Sequence, residues 1–395
     1  PRRIILAAQD KTELMGRLAS IIDNGVPATA DNNKTARVAM LFSGQGTERT
    51  GMGKGLAERH LVFRNTVSHI AELFESVLEK PLLDVMWAEP ESEAASLLRR
   101  TDYAQPAIFT LQVALWRLWQ SWGVQPAVVL GHSVGEIAAA HVAGIMNLAD
   151  ACRLVAARGK LMHALPESGS MVALEAGVDE VTSAIEQLSA RDRVSIASIN
   201  TPTQVVASGE MDVIDKLEAY FKAQNRSSRI LKTSRAFHSH HLDESMLASL
   251  RAVAETIVFQ EQMLPIVSTV TGKLAEPGQL SSADYWVRQA RKPVLFAEGM
   301  QTLADQSANC FVELGPASTL CGMGASCLDG DLSQTSKVAD REGAKNLVWL
   351  PSLNPKSDDA LVIQNSLSDL HIRKVEIDWA AFFKDIGGRR IQLPT

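Results

Sequence analysis

The sequence predicts an α/β chain in which a small ferredoxin-like subdomain interrupts a larger α/β core. Three observations carry that reading. A short apolar stretch, Pro126-Ala127-Val128-Val129-Leu130, runs straight into Gly131-His132-Ser133-Val134-Gly135 and then into a helical pattern starting near Glu136. Strand, G-x-S-x-G and helix in that order form the sharp turn that lifts a serine above the sheet of an α/β-hydrolase-like core. Residues 169–234 follow the order βαββαβ, the split unit of ferredoxin-like folds. The composition is 46% hydrophobic and 21% charged over 395 residues, with 25 Gly and 15 Pro. That suits folded α/β domains and excludes disorder as the main state.

The elements follow in order. Residues 2–8 read as a short buried strand, and 11–22 as a helix with Leu14, Leu18 and Ile21 on one face. Residues 24–35 are polar and turn-rich, a linker. Val38–Phe42 is a strand ending in Ser43-Gly44-Gln45-Gly46, where crowded glycines permit a tight turn with N–H groups facing a ligand. A helix is expected over 106–122, with Leu111, Leu115, Leu118 and Trp122 roughly on one face, and another over 147–163. In the inserted unit, strands are expected at 170–175, 194–199, 203–208 and 228–233, with helices at 178–189 and 211–224. Mixed helix and strand continue from 235 to 328, residues 330–346 are loop-like, and a last section opens at Leu347-Val348-Trp349-Leu350.

Net charge is −6, so no general attraction to nucleic acid or anionic membrane is expected, and an anionic substrate needs a local cation. Cys152, Cys310, Cys321 and Cys327 show neither C-x-x-C pairing nor the density of a disulfide scaffold. A reducing cytoplasm fits them. Glu136, His141 and Arg117 interrupt the longest apolar stretches, so no membrane span is expected. The chain opens at Pro1 without Met or a secretory signal and stops at Gln392-Leu393-Pro394-Thr395. It reads as a piece of something longer.

Gly131 and Gly135 fit the crowding of the serine turn. At a helix N-terminus Ser133 has the positive end of the dipole beside a developing oxyanion, and the Val134 N–H is a natural donor to it. G-x-S-x-G also arises by chance, and the flanking strand and helix are what favour catalysis. A serine nucleophile needs a base. Of nine histidines, His60, His69, His163 and His371 read as solvated or capping residues and His141 as core. His132 lies inside the turn, facing away from the reaction, where packing is the better reading. There remains Arg235-Ala236-Phe237-His238-Ser239-His240-His241. Three histidines in four residues invite a metal reading, but no H-x-x-x-H or H-E-x-x-H spacing supplies further ligands. A base among them is favoured and no metal is expected.

Five motifs occur in a telling order: Phe42-Ser43-Gly44-Gln45-Gly46, Gly131-His132-Ser133-Val134-Gly135-Glu136, Arg158-Gly159-Lys160-Leu161-Met162, Ala236-Phe237-His238-Ser239 and Phe311-Val312-Glu313-Leu314-Gly315-Pro316. The chain thereby resembles malonyl-CoA:acyl carrier protein transacylases, most nearly the acyltransferase domains of polyketide synthases. The resemblance implies a division of the chain. Residues 1–35 would end a ketosynthase–acyltransferase linker, 36–168 and 235–328 would form the catalytic core, 169–234 the ferredoxin-like subdomain, and 329–395 a post-acyltransferase linker. It also implies a dyad of Ser133 and His238, with the histidine oriented by a backbone carbonyl expected near Ser268-Thr269-Val270. Gln45 is implied as a second oxyanion contact beside Val134, and Gln105 as a pocket glutamine. Arg158 is implied as the carboxylate partner. Physical logic supports that last role independently, because a guanidinium makes two parallel hydrogen bonds with a carboxylate and so selects malonyl over acetyl. A helix-surface arginine in a weak salt bridge is the alternative.

The resemblance further implies malonyl-CoA as donor, the phosphopantetheine thiol of an acyl carrier protein as acceptor, and no permanently bound cofactor. Partners would be that carrier protein, a ketosynthase and other domains of the same multifunctional enzyme. Phe237 and Val134 lean to malonyl over methylmalonyl. One methyl group in an apolar pocket is worth only about 1–3 kcal/mol, so leakage is expected. Phe237, Val134, His132, Gln105 and Arg158 are the candidate substrate-binding residues. Arg235 and His240 depart from the malonyl pattern and weaken the substrate reading. A serine acyl hydrolase, a methylmalonyl-selective domain and an idle docking module are the competing readings.

Overall fold

The computed structural model describes residues 5–6, 8, 10–24, 36–233, 235–328 and 347–387. Its larger sheet is founded on β1 (Val38–Phe42) and β2 (Val128–Gly131), both buried at every position. Continuous apolar runs of this kind suit a parallel sheet covered by helices on both faces. The second sheet takes β3 (Gly169–Leu174), β4 (Val194–Thr201), β5 (Gln204–Glu210) and β6 (Ser228–Ile230). The chain then supplies β7 (Ile266–Ser268), β8 (Lys273–Leu274), β9 (Val294–Leu295), β10 (Cys310–Leu314) and β11 (Val348–Pro351).

The large sheet runs β11-β10-β1-β2-β7-β8 and is parallel except for β8, which turns back against β7. Strand order reverses between β10 and β1, and ligands in open α/β sheets gather at the carboxyl ends of strands at such a switch. The loops leaving β1 and β2 carry the G-Q-G motif and Ser133. Opposite them, β10 carries the buried Glu313 next to its end. Its carboxyl accepts from Ser43 Oγ at 2.8 Å and from the Cys321 N–H at 2.8 Å. A Cβ added at Gly315 would lie 1.9 Å from Ser43 Oγ, so the F-V-E-L-G-P motif is a close splice between β10 and the G-Q-G loop.

The second sheet runs β6-β3-β5-β4-β9. β3 to β6, with helices Val178–Gln187 and Met211–Ala223, realise the βαββαβ order and bury their own core around Val172, Val205, Leu217 and Phe221. β9 comes from the chain beyond the subdomain and pairs parallel to β4, which couples the two sheets through one short strand.

Several local readings change. The helix expected from residue 106 spans Thr101–Ser121, with Pro106 inside it. Pro106 removes a single early bond of that helix, and Tyr103 and Ala104 N–H groups reach Arg100 O at 3.0 and 2.8 Å to start it sooner. Of the strand expected over 2–8, only residues 5, 6 and 8 are described, and they carry no strand assignment. The helix Lys11–Asn24 forms, but Leu14 and Leu18 on its apolar face are exposed. The loop expected over 330–346 lies outside the described residues. Beyond it, β11 joins the large sheet beside β10, and the helix Asp359–Ile372 buries Ile363, Leu367 and Leu370. His60, read as solvated, is 2% exposed because its ring packs edge-on against Trp122, 5.3 Å between centroids.

Candidate active site

Ser133 sits in the turn just after β2 with φ +51°, a left-handed conformation that costs a non-glycine residue about 1–3 kcal/mol. Its neighbours explain why the chain can turn there. A Cβ at Gly131 would lie 2.3 Å from Glu136 N, and one at Gly135 2.2 Å from Phe42 O. Helix Gly135–Val142 starts immediately after, so its N-terminus faces the serine. The Val134 residue is fully buried in the main core.

Ser133 Oγ lies 2.8 Å from His238 Nε2 and accepts a hydrogen bond from Arg158 Nη2 at 3.0 Å. His238 and Arg158, 105 and 25 positions from the serine, are brought to it by the loop after β6 and by helix Leu148–His163. His238 is 4% exposed and, like the serine, has a positive φ, +52°. Its Nδ1 donates to Lys292 O at 2.9 Å, which leaves Nε2 as the acceptor toward Ser133. Burial first, and the Arg158 cation second, push the imidazole down to about 3, so it is neutral at physiological pH.

The orienting carbonyl is therefore Lys292, and the expectation at Ser268-Thr269-Val270 is corrected. Thr269 instead donates through its N–H, at 3.0 Å, and through its Oγ1 to the Glu136 carboxyl. β7 runs beneath the elbow helix, where that carboxyl lies. Lys292 precedes Pro293, and a residue before proline is driven out of helical geometry. Its φ and ψ of −80° and 159° turn its carbonyl out of helix Ala283–Arg291 and toward the histidine.

Arg158 is 2% exposed, and Nη1 donates to Gln105 Oε1 at 2.9 Å. Burial pushes its guanidinium down to about 10, still cationic near neutrality. Gln105 Nε2 contacts Met162 Sδ at 3.3 Å and Gln45 Oε1 at 3.5 Å. The two glutamines and the arginine thus form one connected polar wall. Gly159 lets helix Leu148–His163 press on helix Thr101–Ser121, since a Cβ there would lie 3.2 Å from Thr101 O. Phe237 is half-buried between the main core and the small cluster of Met171, Ala197 and Val206. His132 turns toward the subdomain: Nε2 meets Asn200 Oδ1 of β4 at 3.0 Å, and its ring tilts on Phe296. Arg235 is tied to His163 O at 2.7 Å and to Glu167.

Residue-type reasoning missed a buried network beneath Ser133. Glu136 is fully buried and accepts from Thr269, the Tyr285 hydroxyl and Gln289 Nε2. Burial raises its carboxyl above the ordinary range. Gln289 Nε2 also donates to Ser133 O at 2.6 Å, bracing the strained residue from behind. A glutamate directly after the elbow was the available signal; Gln289 and Tyr285 had none.

The family model described as acyl transferase domain matches residues 39–377. The chain belongs to that family and is an acyltransferase with an α/β-hydrolase-like core and a ferredoxin-like subdomain. It is 97% identical over 395 residues to the PKS-NRPS hybrid synthetase ATPKS of Aspergillus niger, covering all of this chain and 21% of that protein. Over 397 aligned residues it is 38% identical to the polyketide synthase GfsA of Streptomyces halstedii, again covering all of this chain but 5% of that protein. The chain thus spans about a fifth or less of the length of these relatives. The acyltransferase domain from the second module of the salinomycin polyketide synthase superposes with a TM-score of 0.86 at 34% identity, over 100% of this chain and 88% of that one. An acyl carrier protein S-malonyltransferase from Vibrio cholerae gives 0.70 at 26% identity, over 82% of this chain and 100% of that one. Among the described residues, no helix is long and apolar enough to cross a membrane.

Proposed function

We propose that the chain is the acyltransferase unit of a larger synthase, where it moves a malonyl group from coenzyme A to the phosphopantetheine thiol of an acyl carrier protein. The observation that carries this is one serine hydroxyl held between an oriented neutral imidazole and a buried guanidinium. The imidazole supplies a base and the cation supplies a seat for a free carboxylate.

In this reading His238 Nε2 takes the Ser133 proton as Oγ attacks the thioester carbonyl. The Val134 N–H and Gln45 donate to the resulting oxyanion. The tetrahedral intermediate collapses, His238 returns the proton to the departing coenzyme A thiol, and O-malonyl-Ser133 remains. The carrier-protein thiol then attacks the ester, giving its proton to His238, which passes it to Ser133 Oγ. Arg158 pairs with the malonyl carboxylate throughout, exchanging its bond to Ser133 Oγ for two charge-assisted ones. Each is worth about 1.5–3 kcal/mol, enough to favour malonyl over acetyl by orders of magnitude. The half-buried Phe237 supports malonyl over methylmalonyl. The division at residues 35, 168, 234 and 328, a neighbouring ketosynthase and a cytoplasmic setting belong to the same proposal.

Intact mass after mixing with malonyl-CoA should show one malonyl adduct on the Ser133 peptide, and Ser133→Ala should show none. Label on the alanine variant would remove the nucleophile assignment. Competing malonyl-CoA with methylmalonyl-CoA in the same vessel separates the two extender readings. Hydrolysis outpacing transfer to carrier protein would favour an acyl hydrolase.

A further inference from the structure

Outside the dyad, the histidine loop carries a second cluster that the transfer chemistry does not use. His240 Nε2 and His241 Nε2 both converge on one oxygen, Glu210 Oε1, at 3.5 and 3.3 Å. The ligand atoms of the three residues all lie within 4.8 Å of one another. Hydrogen bonding to Glu210 satisfies only one nitrogen of each ring, and both Nδ1 atoms are buried without a partner. The rings are held edge-to-face, 4.7 Å between centroids.

The fold makes room for the cluster. Glu210 ends β5 and stands opposite Gly169 of β3. A Cβ at Gly169 would lie 2.6 Å from Ala236 N and 3.2 Å from His241 Nδ1, so glycine there lets the histidine loop pack close against β3. Glu210 caps no helix with its side chain. His241 has only 6% of its side chain exposed, while His240 and Glu210 are about a third exposed and leave a way in.

We infer that Glu210, His240 and His241 form a three-ligand site for a divalent transition-metal ion of the zinc type. Zinc binds imidazole nitrogen and carboxylate oxygen at about 2.0–2.2 Å in tetrahedral geometry, which sets ligand atoms roughly 3.3–3.5 Å apart. The two observed separations match that spacing. Two imidazoles with one carboxylate suit zinc, nickel or copper rather than magnesium or calcium. Two His and one acid leave the fourth position to water. A bound ion would staple the loop bearing His238 to the end of β5, joining the core to the subdomain beside the base. Sequence spacing concealed the site because its third ligand lies thirty positions upstream, on another strand.

The test titrates the metal-stripped chain with zinc chloride by calorimetry, with magnesium chloride as the control. It also follows cobalt(II) by its visible absorption. The expected results are one zinc per chain, cobalt bands of tetrahedral intensity, a higher melting temperature with zinc but not magnesium, and slower proteolysis within residues 231–241. His240→Ala and Glu210→Gln should each weaken zinc at least about ten-fold, with unchanged melting in chelator as proof that they fold. Zinc affinity equal in the parent and both variants would overturn the site. So would a magnesium response as large as that to zinc, or octahedral cobalt spectra.

Discussion

At the scale of single residues, the site is governed by what burial does to charge. Arg158 stays cationic although sealed from water, and its Nη2 already touches Ser133 Oγ. Lysine there would keep the charge and lose the fork. Arg158→Lys should therefore lower malonyl transfer with little gain in acetyl transfer, whereas Arg158→Ala should raise the acetyl-to-malonyl ratio. A ratio unchanged in the alanine variant, measured by mass of the acyl-serine species, would remove the selector role. Gln289 allows a second prediction. Replacing it by Leu strips a donor from both Ser133 O and Glu136. Ser133 O keeps the Glu136 N–H and Glu136 keeps Thr269 and Tyr285, but losing a buried hydrogen bond costs about 0.5–1.5 kcal/mol, so Gln289→Leu should lower the midpoint of chemical unfolding and the acylation rate together. Gln289→Glu, which cannot donate in its ionised form, should not rescue either. Ser133, His238 and Arg158 were legible because chemistry restricts their residue types. Lys292 was not, because any residue has a carbonyl.

At the scale of elements, strands read well and helix ends less so. β1 matched its expected limits because five consecutive apolar residues bounded by a polar turn have little other use in an α/β chain. The helix Thr101–Ser121 began five residues early because proline marks a helix start only statistically. What could not be read was which helices touch. Gly159 shows the stakes, since it sets how near Arg158 comes to Gln105. Gly159→Ala places a Cβ 3.2 Å from both Thr101 O and Asp102 Cα, so the two helices must give by a few tenths of an ångström. Overpacking of this sort costs about 1–3 kcal/mol. The expected signature is a raised KM for malonyl-CoA with a smaller fall in kcat, because the carboxylate seat shifts while the dyad stays. An equal loss of acetyl and malonyl transfer would place the damage at the dyad instead.

At the scale of the whole molecule, the parts meet through long-range pieces that no local pattern announces: β9 in the subdomain sheet, His132 on Asn200, and β11 on β10. Desolvated imidazoles in the fold make stability depend on pH. Burial lowers the titration of His60, His132 and His141 below the usual value. Each therefore binds its proton more weakly folded than unfolded, where the reference lies near about 6.5. Their contribution is complete above that reference and is lost as pH falls through it toward the folded values. The raised carboxyls Glu136 and Glu313 oppose this, since the folded state holds their protons more tightly and gains as pH falls through their folded range. His60 isolates the first effect, because its ring is packed against Trp122 and Phe382, with Asp385 and Arg59 as its charged neighbours. The parent chain should lose melting temperature between about pH 8 and about pH 5.5, spanning the histidine reference. His60→Phe should keep the aromatic contact and lose less over that interval. Parallel pH profiles for the two proteins would show that the His60 imidazole contributes nothing to acid sensitivity.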